Sequence, residues 1–305
     1  MLHCRAEDKM DYFRIPSNAA QLAEQLGSRD KYWFADQESG RRKLFKIGRP
    51  HTGEHWSEVV VARICRKLEI PHAEYQLATD GHHVGVVTSS IVEQHSATRL
   101  IHGNEVLARA LDSYPADEPH PDPRYNLEDV FTSLSRYRAV DGRLAVETFG
   151  DYLLLDALVA NQDRHHENWG LLELPDGSRV LSPTFDHAAS LACRLSDEER
   201  EARLNTNDTG YHIKHFVQRA RTWLYETDES QTRLTTLGAA QAWSARVKNW
   251  RHRSPVIDKL VEASAETWNE VFSDLPESEI SDVGVRFSVT LLNLNRDRIV
   301  TALHK

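Results

Sequence analysis

The spacing of apolar positions changes character along the chain, and each change marks an element. Up to about residue 95 the pattern mostly alternates. "DYFRI" (Asp11 to Ile15) reads as a short strand, and "KYWFAD" and "RKLFKIG" flank the polar turn "QESG", the arrangement of a hairpin. Within "RKLFKIG", Leu44 and Lys46 fall on one face and Phe45 and Ile47 on the other, because side chains alternate along a strand. In "WSEVVVARICRKLEI" the period switches. Val60, Ile64 and Leu68 recur every four residues and stripe one side of a helix, with Ser57 near its N-cap. "AEYQLAT" and "VGVVTSSIV" then return to strand character on either side of Asp80-Gly81, a strong turn signal.

Beyond about Ser96 helical spacing takes over. "ATRLIHGNEVLARALDSY" reads as the start of a helical region. "PADEPHPDPRYN" concentrates prolines and must be a loop. "VETFGDYLLLDALVA" reads as a strongly buried helix, and "WGLLELPDGSRVLSPTFDHAASL" as strand, Asp-Gly turn, strand and loop. From Glu198 onward the segments around Trp223, Trp243, Trp250 and Trp268 are helical, with the tryptophans at core spacing. "SDEEREAR" (Ser196 to Arg203) reads as a solvated helix start. The expected fold class is α+β: a small β-rich lobe over residues 1–95 and a larger, mainly helical lobe over residues 96–305.

Composition narrows the function. A net charge of −9 argues against general nucleic-acid binding, so no direct nucleic-acid partner is expected. No apolar run is long enough to span a bilayer, and "MLHCRAEDKMDYF" lacks the apolar core of a signal peptide. Cys4, Cys65 and Cys193 are too scattered for a disulfide framework or a thiolate zinc site. A cytoplasmic protein without membrane contact is the natural expectation.

The candidate chemistry lies in "DALVANQDRHHENWGLL", Asp156 to Leu172, where titratable side chains crowd between two apolar segments. Asp163 and Asn168 have the D-x-x-x-x-N spacing that protein kinases use in their catalytic loop. There the Asp accepts the acceptor hydroxyl's proton and the Asn ligates a metal ion. After the hairpin that follows comes Asp186 in "SPTFDHAAS", where kinases carry a second metal-binding carboxylate. Upstream, Lys46 sits on a strand of the small lobe, as a phosphate-binding cation would. Glu58, on the next helix, is the carboxylate to hold it. The ordered set Lys, Glu, Asp-x4-Asn, Asp is far more specific than any one member.

These residues carry a family resemblance. "ANQDRHHENWGLL" resembles the N-x-D-x-H-x-x-N signature of the HipA-like serine/threonine kinases, and "LSPTFDHAASL" resembles their metal-binding segment. "WSEVVVARICRKLEIPHAEYQL" is similar to their helix after the lysine strand, and "LLNLNRDRI" to their final helix. The resemblance runs from about Gly27 to the end of the chain. It implies a two-lobed protein-kinase-like fold of the phosphoinositide-kinase-like branch, ATP with Mg²⁺, and transfer to a protein serine or threonine. On that resemblance Asp163 is the catalytic base, Asn168 and Asp186 are metal ligands, Lys46 binds phosphate, and His165 braces the loop. The adenine hinge maps to Ser90, Ile91, Val92 and Glu93. The phosphate loop maps to "LGSRDK", where Gly27 permits a nest of backbone N–H groups. In the family a serine of this loop can be autophosphorylated, which ejects the loop, and Ser28 is the nearest match. The resemblance also implies an antitoxin-like partner. The chain is expected to be short of the extra N-terminal segment of the full-length toxins, which weighs against a toxin role.

Other readings compete residue by residue. Asp163, Asn168 and Asp186 would also suit a polar loop with capping side chains. Lys46 would suit a solvated strand lysine, and Glu58 an exposed first-turn acid favoured by the helix dipole. His165, His166 and His187 beside the carboxylates suggest a zinc or manganese hydrolase, although adjacent loop histidines diverge. His166 is expected to be exposed, Arg164 to contact phosphate or lie on the surface, and Trp169 to pack in the core. At the level of function, the rivals are a small-molecule phosphotransferase and a catalytically silent nucleotide-binding module. Turnover of a small alcohol would mark the first, ATP binding without transfer the second.

Overall fold

The computed structural model describes residues 12–19, 22–23, 30–118, 122–250 and 254–303. Its first part comprises strands β1 (Phe13–Arg14), β2 (Leu22–Ala23), β3 (Lys31–Ala35) and β4 (Arg42–Ile47), helix α1 (Glu54–Leu68), and strands β5 (Gln76–Thr79) and β6 (Val84–Ser89). The strands form one sheet in the order β1-β5-β6-β4-β3-β2, antiparallel except for the parallel β1–β5 pair. Alternation along β4 divides its side chains as the sequence anticipates. Phe45 packs on one face with Ile15, Phe34, Ala78 and Val87, while Lys46 bonds to Glu58 of α1 on the other.

Helix α1 begins earlier than Ser57 would suggest. Gly53 is its N-cap and Glu54 its first residue. Ser57 is buried inside the helix, and its hydroxyl donates to the carbonyls of His187 and Ser190. The serine thus ties α1 to the segment after Asp186 instead of capping the helix.

The second part contains α2 (Ile91–Gln94), β7 (Arg99–His102), α3 (Gly103–Ala110), α4 (Leu127–Leu134), β8 (Arg138–Ala139), α5 (Ala145–Val159), β9 (Gly170–Glu173) and β10 (Arg179–Leu181). It continues with α6 (Asp197–Asn205), α7 (Ile213–Gln218), α8 (Thr236–Arg246), α9 (Pro255–Glu262), α10 (Ala265–Glu270) and α11 (Asp282–Leu303). Strands β7-β9-β10-β8 make a second sheet. The helical reading of "ATRLIHGNEVLARALDSY" is corrected here: helix starts only at Gly103, because Arg99–His102 pairs antiparallel with β9. A long-range partner overrides the local signal.

Helix α5 is the axis of this part, and every one of its side chains is buried. Trp243 and Trp250 pack in the same core, and Trp268 is fully buried too. Gly150 makes room for Trp250: a Cβ there would lie 2.5 Å from the indole. Helix α6 starts with the solvated turn anticipated for "SDEEREAR", capped reciprocally by Ser196 and Glu199. Among the described residues no helix is long and apolar enough to cross a membrane.

Candidate active site

Lys46 lies at the centre of a buried cluster. Its Nζ is 3.1 Å from Glu58 Oε1, 3.4 Å from Asp186 Oδ2 and 3.5 Å from the Tyr75 hydroxyl. Glu58 is wholly buried, so it is no exposed first-turn acid. Its second oxygen accepts the His187 backbone N–H at 2.9 Å. The backbone of Asp186 is left-handed, with φ 58°, and its N–H donates to the Tyr75 hydroxyl at 3.2 Å. Asp186 keeps 29% of its side chain exposed, whereas the side chains of Lys46 and Glu58 are 6% and 0% exposed. One cation therefore joins a fully desolvated carboxylate to one that still reaches solvent. Burying such a pair is costly unless further hydrogen bonds satisfy it. Tyr75 and the His187 amide supply those bonds.

The loop after α5 is built on a second buried pair. α5 ends at Ala160 in the left-handed conformation, φ 54°. Arg164, wholly buried, donates from Nε and Nη2 to both oxygens of Asp156 at 2.8 and 2.9 Å, and from Nη1 to the Asn168 carbonyl at 2.6 Å. Arg164 is thus neither a phosphate contact nor a surface charge. It fastens the loop to the helix that precedes it. Asn161 donates to Asp156 at 2.8 Å and accepts the Asp163 N–H at 3.1 Å. Asn168 donates its side-chain amide to the Asp163 carbonyl at 2.7 Å. That engages the amide nitrogen in the loop and leaves the amide oxygen as the end that could accept or ligate. The His165 N–H also donates to the Asp163 carbonyl, and His165 Nδ1 accepts the Glu167 N–H at 3.2 Å.

The neighbouring side chains pack behind the loop. Trp169 is buried as anticipated, its indole donating to the Tyr125 hydroxyl, which in turn donates to the Arg164 carbonyl. His166, expected to be exposed, is wholly buried with Nδ1 2.8 Å from the Tyr114 hydroxyl. Burial, and then the neighbouring His165, lower its pKa to about 4. His187 is also buried, with Nε2 2.8 Å from the Thr184 hydroxyl. Burial holds its pKa well below the usual imidazole range. Among the described residues no three His, Cys, Asp or Glu side chains converge as a metal cage. Asn168 and Asp186 each carry hard oxygen donors of the kind Mg²⁺ takes.

The loop and the Asp186 segment lie side by side. His102 bonds through Nδ1 to the Glu167 carbonyl at 2.8 Å, while its ring packs edge-on against Phe185 at 6.1 Å. Ser90 caps the short helix α2 by accepting the Glu93 N–H. The carbonyls of Ser90, Ile91, Val92 and Glu93 already accept from Gln94, His95, Ala97 and Ser96. The Glu93 carboxylate turns back to Arg42. Gly27 and Ser28 lie outside the described residues.

Sequence reasoning missed Tyr75, Trp223 and the Asp156–Arg164 pair. Trp223, read as core, is only partly buried, and its indole donates to Asp163 Oδ1 at 3.3 Å. Asp156 left a signal: an acid inside an otherwise apolar helical run needs a buried partner.

Residues 23–268 match the family model described as the HipA-like C-terminal domain. No curated protein matches the sequence. Among solved structures, the chain is similar to the Helicobacter pylori proinflammatory kinase CtkA, with a TM-score of 0.71 over 97% of both chains at 17% identity. It is also similar to HipA from a Shewanella oneidensis toxin–antitoxin system, solved with HipB and operator DNA. There the TM-score is 0.56 at 12% identity, over 92% of this chain and 66% of that one. Both likenesses establish the fold, which is the two-lobed kinase-like α+β arrangement expected from the sequence.

Proposed function

The chain belongs to the family of HipA-like C-terminal domains, and on that premise we propose that it is a kinase transferring the γ-phosphoryl group of ATP to a serine or threonine hydroxyl of a protein. The observation that carries the reading is the buried Lys46–Glu58 pair, with Asp186 also on the lysine. It is the arrangement that protein kinases use on the nucleotide side. In this reading Lys46 steadies the phosphates and Glu58 holds Lys46. Asp163 orients the acceptor hydroxyl and accepts its proton. Asn168 and Asp186 would hold Mg²⁺, which supplies charge neutralisation at the phosphates. His165 keeps the loop in shape. The division into lobes at residue 95, adenine contacts from the backbone of Ser90 to Glu93, and a phosphate loop at Gly27 and Ser28 belong to the same proposal. So do an antitoxin-like protein partner and a cytoplasmic location. Catalysis would be positioning and charge neutralisation, with little covalent work for the protein.

The test is transfer from γ-labelled ATP with Mg²⁺, to the protein itself and to a lysate, for the wild type, Asp163→Asn and Asp186→Asn. Both substitutions are near-isosteric. The reading expects labelling by the wild type and a loss of about 10²-fold or more in each variant, with thermal unfolding unchanged. Transfer that survives intact in Asp163→Asn would sink it. Mapping of labelled peptides checks Ser28 separately, and label elsewhere in an active enzyme removes that assignment. ATP binding without protein labelling, together with turnover of a small alcohol, would move the acceptor to small molecules.

A further inference from the structure

Asp163 is held from outside its own loop. The Trp223 indole, 60 residues away in sequence, donates to its Oδ1 at 3.3 Å. Trp223 sits on a pinned stretch of backbone. Arg221 bridges Thr235 antiparallel, and Tyr225 bridges Asn126 in parallel. The Thr222 N–H donates to the Leu234 carbonyl, and the Leu234 N–H to the Leu224 carbonyl. The indole ring is fixed as well, because the Arg233 guanidinium lies 4.2 Å from its centroid. That is within the range where a cation is attracted to a tryptophan face. An indole N–H is a donor only, so it can bind the carboxylate but cannot exchange a proton with it.

We propose that Trp223 is a positioning residue for the base Asp163. It ties up Oδ1, so that Oδ2 is aimed at the acceptor hydroxyl, and Arg233 locks the ring that does this. The inference rests on the kinase reading above. In the transfer step the acceptor oxygen bonds to the γ-phosphorus while its proton passes to Oδ2 of Asp163. The bond from the γ-phosphorus to the β,γ-bridging oxygen breaks, and ADP leaves with that electron pair. Trp223 gives up no proton. Its role is to keep one carboxylate oxygen occupied and the other directed, and orientation of this kind acts on the transfer step more than on nucleotide binding.

The experiment compares the full-length wild type with Trp223→Phe, which keeps an aromatic ring, though a smaller one, and removes the donor. Transfer kinetics, the KM for ATP and thermal unfolding are measured for both. A hydrogen bond to a charged group corresponds to about a tenfold or larger effect. The expected result is a fall in kcat of about that size with the KM for ATP and the unfolding midpoint unchanged. An unchanged kcat overturns the inference, and so does a joint change in kcat, KM for ATP and unfolding, which would make Trp223 a structural prop. A second readout needs no activity. The indole ¹H–¹⁵N resonance lost in Trp223→Phe is assigned to Trp223 and should move in Asp163→Asn. If it does not move, the contact is absent in solution. Failure of the kinase reading is distinct, because there the wild type transfers nothing while the indole resonance still responds to Asp163→Asn.

Discussion

At the scale of single residues, two histidines buried beside the site are held uncharged. His166 stays neutral because burial lowers its pKa from 6.5 to about 4, and His187 is displaced in the same direction. In the unfolded chain both take up protons near pH 6.5, whereas in the folded protein they do not. The unfolded state therefore binds more protons between about pH 6.5 and 4, and stability falls as the pH is lowered through that window. For His166 this amounts to about 3 kcal/mol at most. Urea denaturation at a series of pH values should show the slope, and His166→Gln should flatten it. A variant as acid-sensitive as the wild type would contradict the assignment. Tyr75 bears on the nucleotide side. Its hydroxyl accepts the amide of Asp186 and lies 3.5 Å from Lys46 Nζ. Tyr75→Phe should cost about 1–2 kcal/mol of stability, because it leaves a buried donor without its acceptor. It should also weaken the Mg²⁺-dependent part of the thermal shift caused by ATP.

Among the elements, the β4–β6 contact leaves little room for change. Gly85 pairs with Ile47, and a Cβ on it would lie 2.1 Å from the Lys46 carbonyl oxygen, a backbone atom that can move only with its strand. Gly85→Ala is expected to cost about 1–3 kcal/mol as an overpacking substitution. It should also displace the strand that carries Lys46, lowering ATP affinity as measured by calorimetry. Affinity at the wild-type level would show that β4 gives way harmlessly. The strands around this contact were legible because their alternation and their Asp-Gly turn are local signals. β7 was not, since "RLIH" owes its strand character to β9, some seventy residues further on. The same division runs through the site. Lys46, Glu58, Asp163, Asn168 and Asp186 stand out by their order and spacing. The Tyr75–Asp186 bond spans 111 positions and the Trp223–Asp163 bond 60, and no periodicity reports such contacts. Arg164 was misread for a related reason: a charge in a polar stretch looks solvated until the buried Asp156 beside it is seen.

On the scale of the whole molecule, α1 is the joint between the sheet and the helices, and the far end of the chain grips it. His55 is 2.6 Å from Glu279, which also accepts from the Tyr12 hydroxyl. Arg63 donates to both oxygens of Asp274 at 2.5 and 2.9 Å and to the Val271 carbonyl at 2.8 Å. Lys67 meets Glu270, and Glu69 meets Lys259. Arg63 and Lys67, four residues apart, share a face of α1, whereas His55 lies three residues before Glu58, so these contacts form a ladder that winds along the helix. The Lys67 and Glu69 rungs are exposed ion pairs worth little, whereas His55 and Glu279 meet largely out of solvent. The Arg63 rung is different, because a bidentate pair with a further bond to a carbonyl is short and geometrically fixed. Arg63→Met, which keeps the stem and removes the fork, should lower the unfolding free energy by about 1–2 kcal/mol in urea denaturation. Asp274→Asn should cost less, and the double variant should cost less than the sum of the two. Strict additivity would show that Arg63 acts through its carbonyl bond alone, and that the rung to Asp274 contributes nothing to holding the two lobes together.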